Sequence, residues 1–179
     1  MVWPESWIVL RQWICAGVWL LFAALLPLQG LAQLSSPIGG LSAGGPGVHS
    51  PDSPFAPLPQ RKDVLPWSLL SDVKLKKVSK RLLPEYPPTV QELTNKTQRV
   101  QGFMMPLAPG QRHQHFLLTS VPMTCSFCTP GGPESMVEVK TDTPIAYSLE
   151  PVVVEGKFMV LADDPYGLYY RIVNALAVK

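Results

Sequence analysis

The chain is short of cysteine, histidine and charge. Three cysteines and three histidines occur in 179 residues, and three cysteines are too few for a disulfide scaffold. Charged residues make only 16% of the sequence, with 15 Lys+Arg against 13 Asp+Glu. A balance that even lacks the basic stripe of a nucleic-acid binder. No G-x-S-x-G, no P-loop and no paired catalytic carboxylates occur, so Ser–His–Asp catalysis has no motif to anchor it and an enzyme is not expected. What is present in excess is proline and glycine, 20 and 13 residues, above the ~12% usual for the pair. Part of the chain must therefore be linker and turns. The 46% hydrophobic content excludes a wholly disordered chain, and the length suits about one domain.

The N-terminus has the order of a secretory signal peptide over residues 1–32. Arg11 precedes an apolar run at 13–28 broken only by Pro27, and small residues follow at Gly30 and Ala32. That order predicts export, with the periplasm as destination. The alternative is an uncleaved anchor formed by residues 13–28, the only membrane contact then expected, although the run is shorter than the ~20 residues a span prefers. Cys15 lies inside the run, so cleavage after Ala32 leaves Cys125 and Cys128 alone in the mature chain.

Residues 33–66 read as a disordered tether. Positions 34–66 hold seven prolines, five glycines and five serines, too little apolar surface to offset the entropy of ordering. His49 sits in it as a solvated side chain. The domain is expected at 67–179, with its core at 97–179. Residues 67–83 fit either a helix face through Trp67, Leu70, Val73, Val78 and Leu82 or a strand. Their basic run reads as a solvated face. After export it would face the wrong side for acidic cytoplasmic lipids.

From residue 97 the pattern is β. Five strands are expected at Thr97–Leu107, His113–Val121, Ser135–Thr141, Pro151–Leu161 and Gly167–Val178, with Pro144 ending the third and glycine bends at Gly102 and Gly156. Close turn spacing with no convincing helix predicts a small five-stranded OB-like barrel, an all-β fold.

The chemistry gathers in His113-Gln114-His115 and Cys125-Ser126-Phe127-Cys128. Residues two apart on a strand share a face, which sets His113 and His115 side by side. Cys125 and Cys128 have the spacing of a metal knuckle. Two nitrogens and two sulfurs suit zinc or copper. Two other readings stay open: a Cys125–Cys128 disulfide in an oxidising compartment, and a thiol oxidoreductase pair lacking the usual βαβ context. Met104, Met105, Met123 and Met136 are more in keeping with core packing than with copper. Asp163 and Asp164 suit a turn. Tyr166, Tyr169 and Tyr170 could form an aromatic face, though export and low charge argue against nucleic acid there.

The run Val100–Val139, with Val-Gln-Gly-Phe-Met-Met-Pro-Leu, His-Gln-His-Phe-Leu-Leu and Cys-Ser-Phe-Cys-Thr-Pro-Gly-Gly-Pro, together with Asp-Asp-Pro-Tyr-Gly-Leu-Tyr-Tyr-Arg, resembles a bacterial family of exported proteins catalogued as a domain of unknown function. The resemblance spans roughly residues 65–179. It implies no established activity. It implies an accessory role beside transporters of the ATP-binding-cassette type, some linked to zinc, with an envelope transporter or metal-handling protein as partner. Other branches carry Cys-x-His near this position, an exchange that would suit a metal ligand.

Overall fold

The computed structural model describes residues 45–178. The signal segment at 1–32 and the first part of the tether lie outside the described residues.

Trp67–Leu70 form a single helical turn, α1. Lys74–Val78 (β1) and Arg81–Glu85 (β2) then pair as a two-stranded hairpin through a Ser79-Lys80 turn. Of the two readings of this stretch, the strand holds for the lysine run and the helix for its first turn only. Ser79 takes φ 56, the left-handed value a two-residue hairpin turn needs. A second helical turn, α2, spans Pro88–Gln91, with Pro88 in its first turn, where no N–H is needed.

Five longer strands follow: β3 (Thr97–Pro106), β4 (Arg112–Thr119), β5 (Met136–Ala146), β6 (Val152–Val160) and β7 (Tyr170–Val178). They close into a barrel in the order β3-β4-β5-β7-β6, with β6 returning to β3. Four seams are antiparallel. The β5–β7 seam is parallel and holds two pairs, Glu138↔Arg171 and Val139↔Ile172. The five-stranded OB-like barrel that the spacing of turns predicts is present, closed and with mixed pairing, and the bounds of all strands but the third agree to within a few residues.

The third strand differs. It runs through Pro144 instead of ending there. Between His113 and His115 the partner on β5 jumps from Ile145 to Lys140, so residues 141–144 bulge out of register. Pro144 therefore sits where no ladder N–H is required, and the Thr141 hydroxyl closes the bulge on the Thr143 carbonyl. The two glycine bends have separate causes. A Cβ on Gly102 would meet the Thr119 carbonyl oxygen at 2.8 Å, and one on Gly156 would meet Ile172 Cγ2 at 2.7 Å. Gly156 also lies at a register shift between β6 and β7, so it both bends the strand and lets it pass β7 closely.

The interior alternates as the strands dictate. Val100, Phe116, Leu118, Val137, Val139, Val154, Phe158, Tyr170 and Ile172 point inward and are buried. Trp67, Leu70, Tyr86 and Val90 extend the same core. Its polar handles are satisfied: Trp67 Nε1 donates to the Gln101 carbonyl (2.9 Å), Tyr170 OH to the Leu70 carbonyl (2.6 Å) and Tyr86 OH to the Leu161 carbonyl (2.6 Å).

The tether reading requires a correction at its C-terminal end. From Gly45 the chain lies on the barrel. Val48 and Thr129 form a two-way bridge (2.8 and 2.9 Å), the Ser120 hydroxyl donates to the Pro46 carbonyl, and Leu65 N donates to the Arg99 carbonyl (2.8 Å). Leu58 and Leu65 pack against the core. Composition missed this because a few backbone hydrogen bonds and the Leu58 and Leu65 side chains fix a strap that is otherwise rich in proline.

Candidate binding face and the cysteine loop

Beyond β4 the chain turns tightly at Pro122–Cys128. Cys125 N donates to the Pro122 carbonyl (3.2 Å) and Cys128 N to the Cys125 carbonyl (3.3 Å). This folds the pair together, and Cys125 and Cys128 are joined in a disulfide with Cα atoms 5.4 Å apart. Cys125 is buried, while Phe127 between them is 63% exposed.

The structure does not bring the four expected ligands together. Each sulfur is bonded to the other, which leaves no thiolate to donate. His113 is buried, with its ring edge-on to Tyr147 (centroids 6.2 Å apart) and Nε2 without a hydrogen-bond partner. His115 points to a different neighbour, with Nε2 2.6 Å from Glu138 Oε1. The β5 bulge opposite these histidines separates what strict alternation would pair. Among the described residues no three His, Cys, Asp or Glu side chains gather as a ligand group.

Sequence reading missed a different constellation. On the outer face of the barrel, Leu117 (β4), Glu138 (β5) and Arg171 (β7) lie in one row across the strands. Glu138 is only 4% exposed. Its carboxylate accepts from Arg171 Nε, faces His115 and has Lys140 Nζ at 3.4 Å. Arg171 Nη2 also donates to Asp164 Oδ2 at 3.0 Å. Burial pushes the Glu138 carboxyl up, but the hydrogen bonds from Arg171 and His115 and the charge of Lys140 outweigh it, so its pKa lies below the ordinary value. Asp164 is likewise lowered: burial raises it, and the Tyr166 and Leu168 amides and Arg171 overcome that.

Asp164 builds the loop between β6 and β7. Its Oδ1 accepts from Tyr166 N (2.9 Å) and Leu168 N (3.4 Å), and Leu161 N closes the base on the Tyr169 carbonyl (2.9 Å). Gly167 at φ 76 supplies the left-handed turn. The turn role expected for the Asp163-Asp164 pair holds, and Asp163 meets Arg81 of β2 at 2.5 Å. Of the three tyrosines considered for an aromatic face, one is exposed. Tyr169 and Tyr170 are buried, and Tyr166 stands 86% exposed at the loop tip. Of the four methionines, Met104 is in the core and Met123 is exposed. The one signal for this cluster in the sequence was the Asp-Asp-Pro-Tyr-Gly-Leu-Tyr-Tyr-Arg motif, which spans Asp163 to Arg171.

A closed five-stranded mixed barrel with one structured loop over an ion-paired outer face is an OB-like, all-β domain. The chain belongs to the family described as "Protein of unknown function (DUF3299)", which matches residues 67–166. Among solved structures it is similar to a DUF3299 family protein of Pseudomonas aeruginosa PAO1, at 20% identity and a TM-score of 0.43, over 74% of this chain and 91% of that one. None of the curated proteins matches.

Proposed function

We propose that the protein is an exported, non-enzymatic binding module of the bacterial envelope that engages a protein partner through the outer β4–β5 face and the β6–β7 loop. The observation that carries this reading is Tyr166. It is the most exposed large hydrophobic side chain of the described residues, at 86%, on a loop made rigid by Asp164 and tied through Arg171 to Glu138. An exposed tyrosine held at low entropic cost is the usual anchor of a protein interface. The strand face and loop concerned are those that OB-type barrels use for their ligands. The Cys125–Cys128 disulfide fits the same reading as a structural staple of an oxidising compartment. The family resemblance supplies the context, an envelope transport system.

The competing metal-carrier reading needs Cys125 and Cys128 reduced, with His113 and His115 or a partner completing the shell. Metal content and free-thiol count on the full chain, purified from the envelope without chelator, separate the two. No free thiol and no stoichiometric metal are expected. About one zinc or copper per chain with both thiols masked overturns the staple. For the partner itself, a photo-crosslinking residue placed at 166 and another at 115 should yield one and the same discrete adduct in cells. Position 62, on the strap, should not.

A further inference from the structure

The β1–β2 hairpin is a sheet of two strands outside the barrel. Such a hairpin is marginally stable in water, and a third strand or a packed face is what usually completes one. All five residues of β1 are exposed, and among the described residues no strand but β2 pairs with it. The register shows which edge is open. The two-residue turn closes on the Val78↔Arg81 pair, so the ladder bonds fall there and at every second pair, Lys76↔Leu83 and Lys74↔Glu85. Leu75 and Lys77 on β1, and Leu82 and Pro84 on β2, turn their backbone groups outward. The β2 edge is blunted, because Pro84 has no N–H to offer. The β1 edge presents both N–H and C=O at Leu75 and at Lys77.

Charge narrows what can pair there. The chain as a whole is close to neutral, at +2, yet residues 74–85 hold five of its 15 Lys+Arg and one acid, Glu85. Arg81 is taken by Asp163 of the β6–β7 loop at 2.7 and 2.5 Å, and Lys76 lies 3.7 Å from Glu85. Lys74, Lys77 and Lys80 have no acidic side chain within ion-pair distance among the described residues. A second copy of β1 would set lysine against lysine, which is unfavourable across a sheet and is one way natural edges avoid self-pairing. A bilayer surface would meet the charges but leave the strand's outward N–H and C=O groups without ladder partners.

We propose that the open edge of β1 takes up an extended acidic segment of a partner protein as a third strand, with Asp or Glu at alternate positions. Main-chain bonds at Leu75 and Lys77 supply affinity, and the lysines select the sequence. In one phase the acids meet Lys74 and Lys76 while the residues between them lie over Leu75. In the other phase they meet Lys77. This surface is separate from the β4–β5 face and from Tyr166, and it stands or falls without them.

The test titrates the full 15N-labelled chain with the peptide acetyl-Thr-Glu-Val-Glu-Val-Glu-Thr-amide, and separately with the same peptide N-methylated at every residue, which keeps the charge and removes the ladder donors. Saturable shifts and slowed exchange are expected at the Leu75 and Lys77 amides with the first peptide and not with the second. Leu75→Pro copies on β1 what Pro84 does on β2, and affinity should fall about tenfold, the contribution of an edge hydrogen bond, while barrel resonances hold their positions. The paired exchange Lys74→Glu and Lys77→Glu leaves the backbone edge intact and reverses its charge, so it should weaken binding about fivefold or more. Shifts that stay linear to millimolar concentration, equal binding of the N-methylated peptide, or undiminished binding in the charge-reversed chain each overturn the proposal. So does sedimentation of the chain with phosphatidylglycerol vesicles in the absence of any saturable peptide shift, which would assign the lysines to a lipid surface.

Discussion

Glu138 shows why a single side chain can decide what a surface is for. A carboxylate in a strand's polar register is expected in water, yet this one is buried under three cationic or imidazole neighbours. Replacing it by glutamine leaves Arg171 with Asp164 alone. Because Arg171 is partly solvated, the cost should be modest, about 1–2 kcal/mol, read by urea unfolding. The sign of the pH effect follows from the lowered pKa. The carboxylate's contribution is present above the ordinary value of about 4.3 and is lost as pH falls through the folded-state value beneath it. The native chain should therefore lose stability on acidification below about pH 4, and Glu138→Gln should flatten that part of the curve. At Gly156 the expectation is larger. A methyl group there meets Ile172 Cγ2 at 2.7 Å and the Val173 carbonyl at 2.8 Å, so Gly156→Ala should cost about 2 kcal/mol or more. The sequence made both glycine bends legible because each falls inside a run of strand formers. It could not show that Glu138 was buried, since period-two alternation gives the face but not what covers it.

At the level of elements, the cysteine loop and the strap depend on each other. Thr129, just past the disulfide, carries the bridge to Val48, and Cys125 Sγ lies 3.3 Å from Ser53 Oγ. Cutting the Cys125–Cys128 link, by reduction or by paired serine substitution, opens a loop of only a few residues. The entropic loss is correspondingly small, about 2 kcal/mol. The strap should loosen with it, seen as faster amide exchange at Val48 and Thr129 while β3–β6 protection holds. The strands themselves were readable because their alternation is strong. The boundary error falls at Pro144, where a bulge accommodates a residue that pattern rules treat as a stop. The H-x-H and C-x-x-C motifs were readable as residues. Their mutual geometry was not, because a register jump opposite His113 and His115 and the closing of the sulfurs on each other are tertiary events.

For the whole molecule, the packed unit is larger than the family match. Residues 45–66 add Leu58 and Leu65 to the core and Arg61 and Asp63 to an ion cluster with Arg99. Under the tether reading, removing them would be neutral. Here a chain beginning at 67 should melt lower than one beginning at 45 by more than about 5 °C, measured by circular dichroism.

The parallel seam gives the barrel a clasp. β5 and β7 meet at two residue pairs, and one of them is Glu138↔Arg171. The ion pair that shapes the outer face is thus also the join that keeps the cylinder shut. A partner that draws Arg171 away would therefore do more than occupy a surface. It would loosen the seam with the fewest paired residues, and the amides of Val139 and Ile172 should then exchange faster with water.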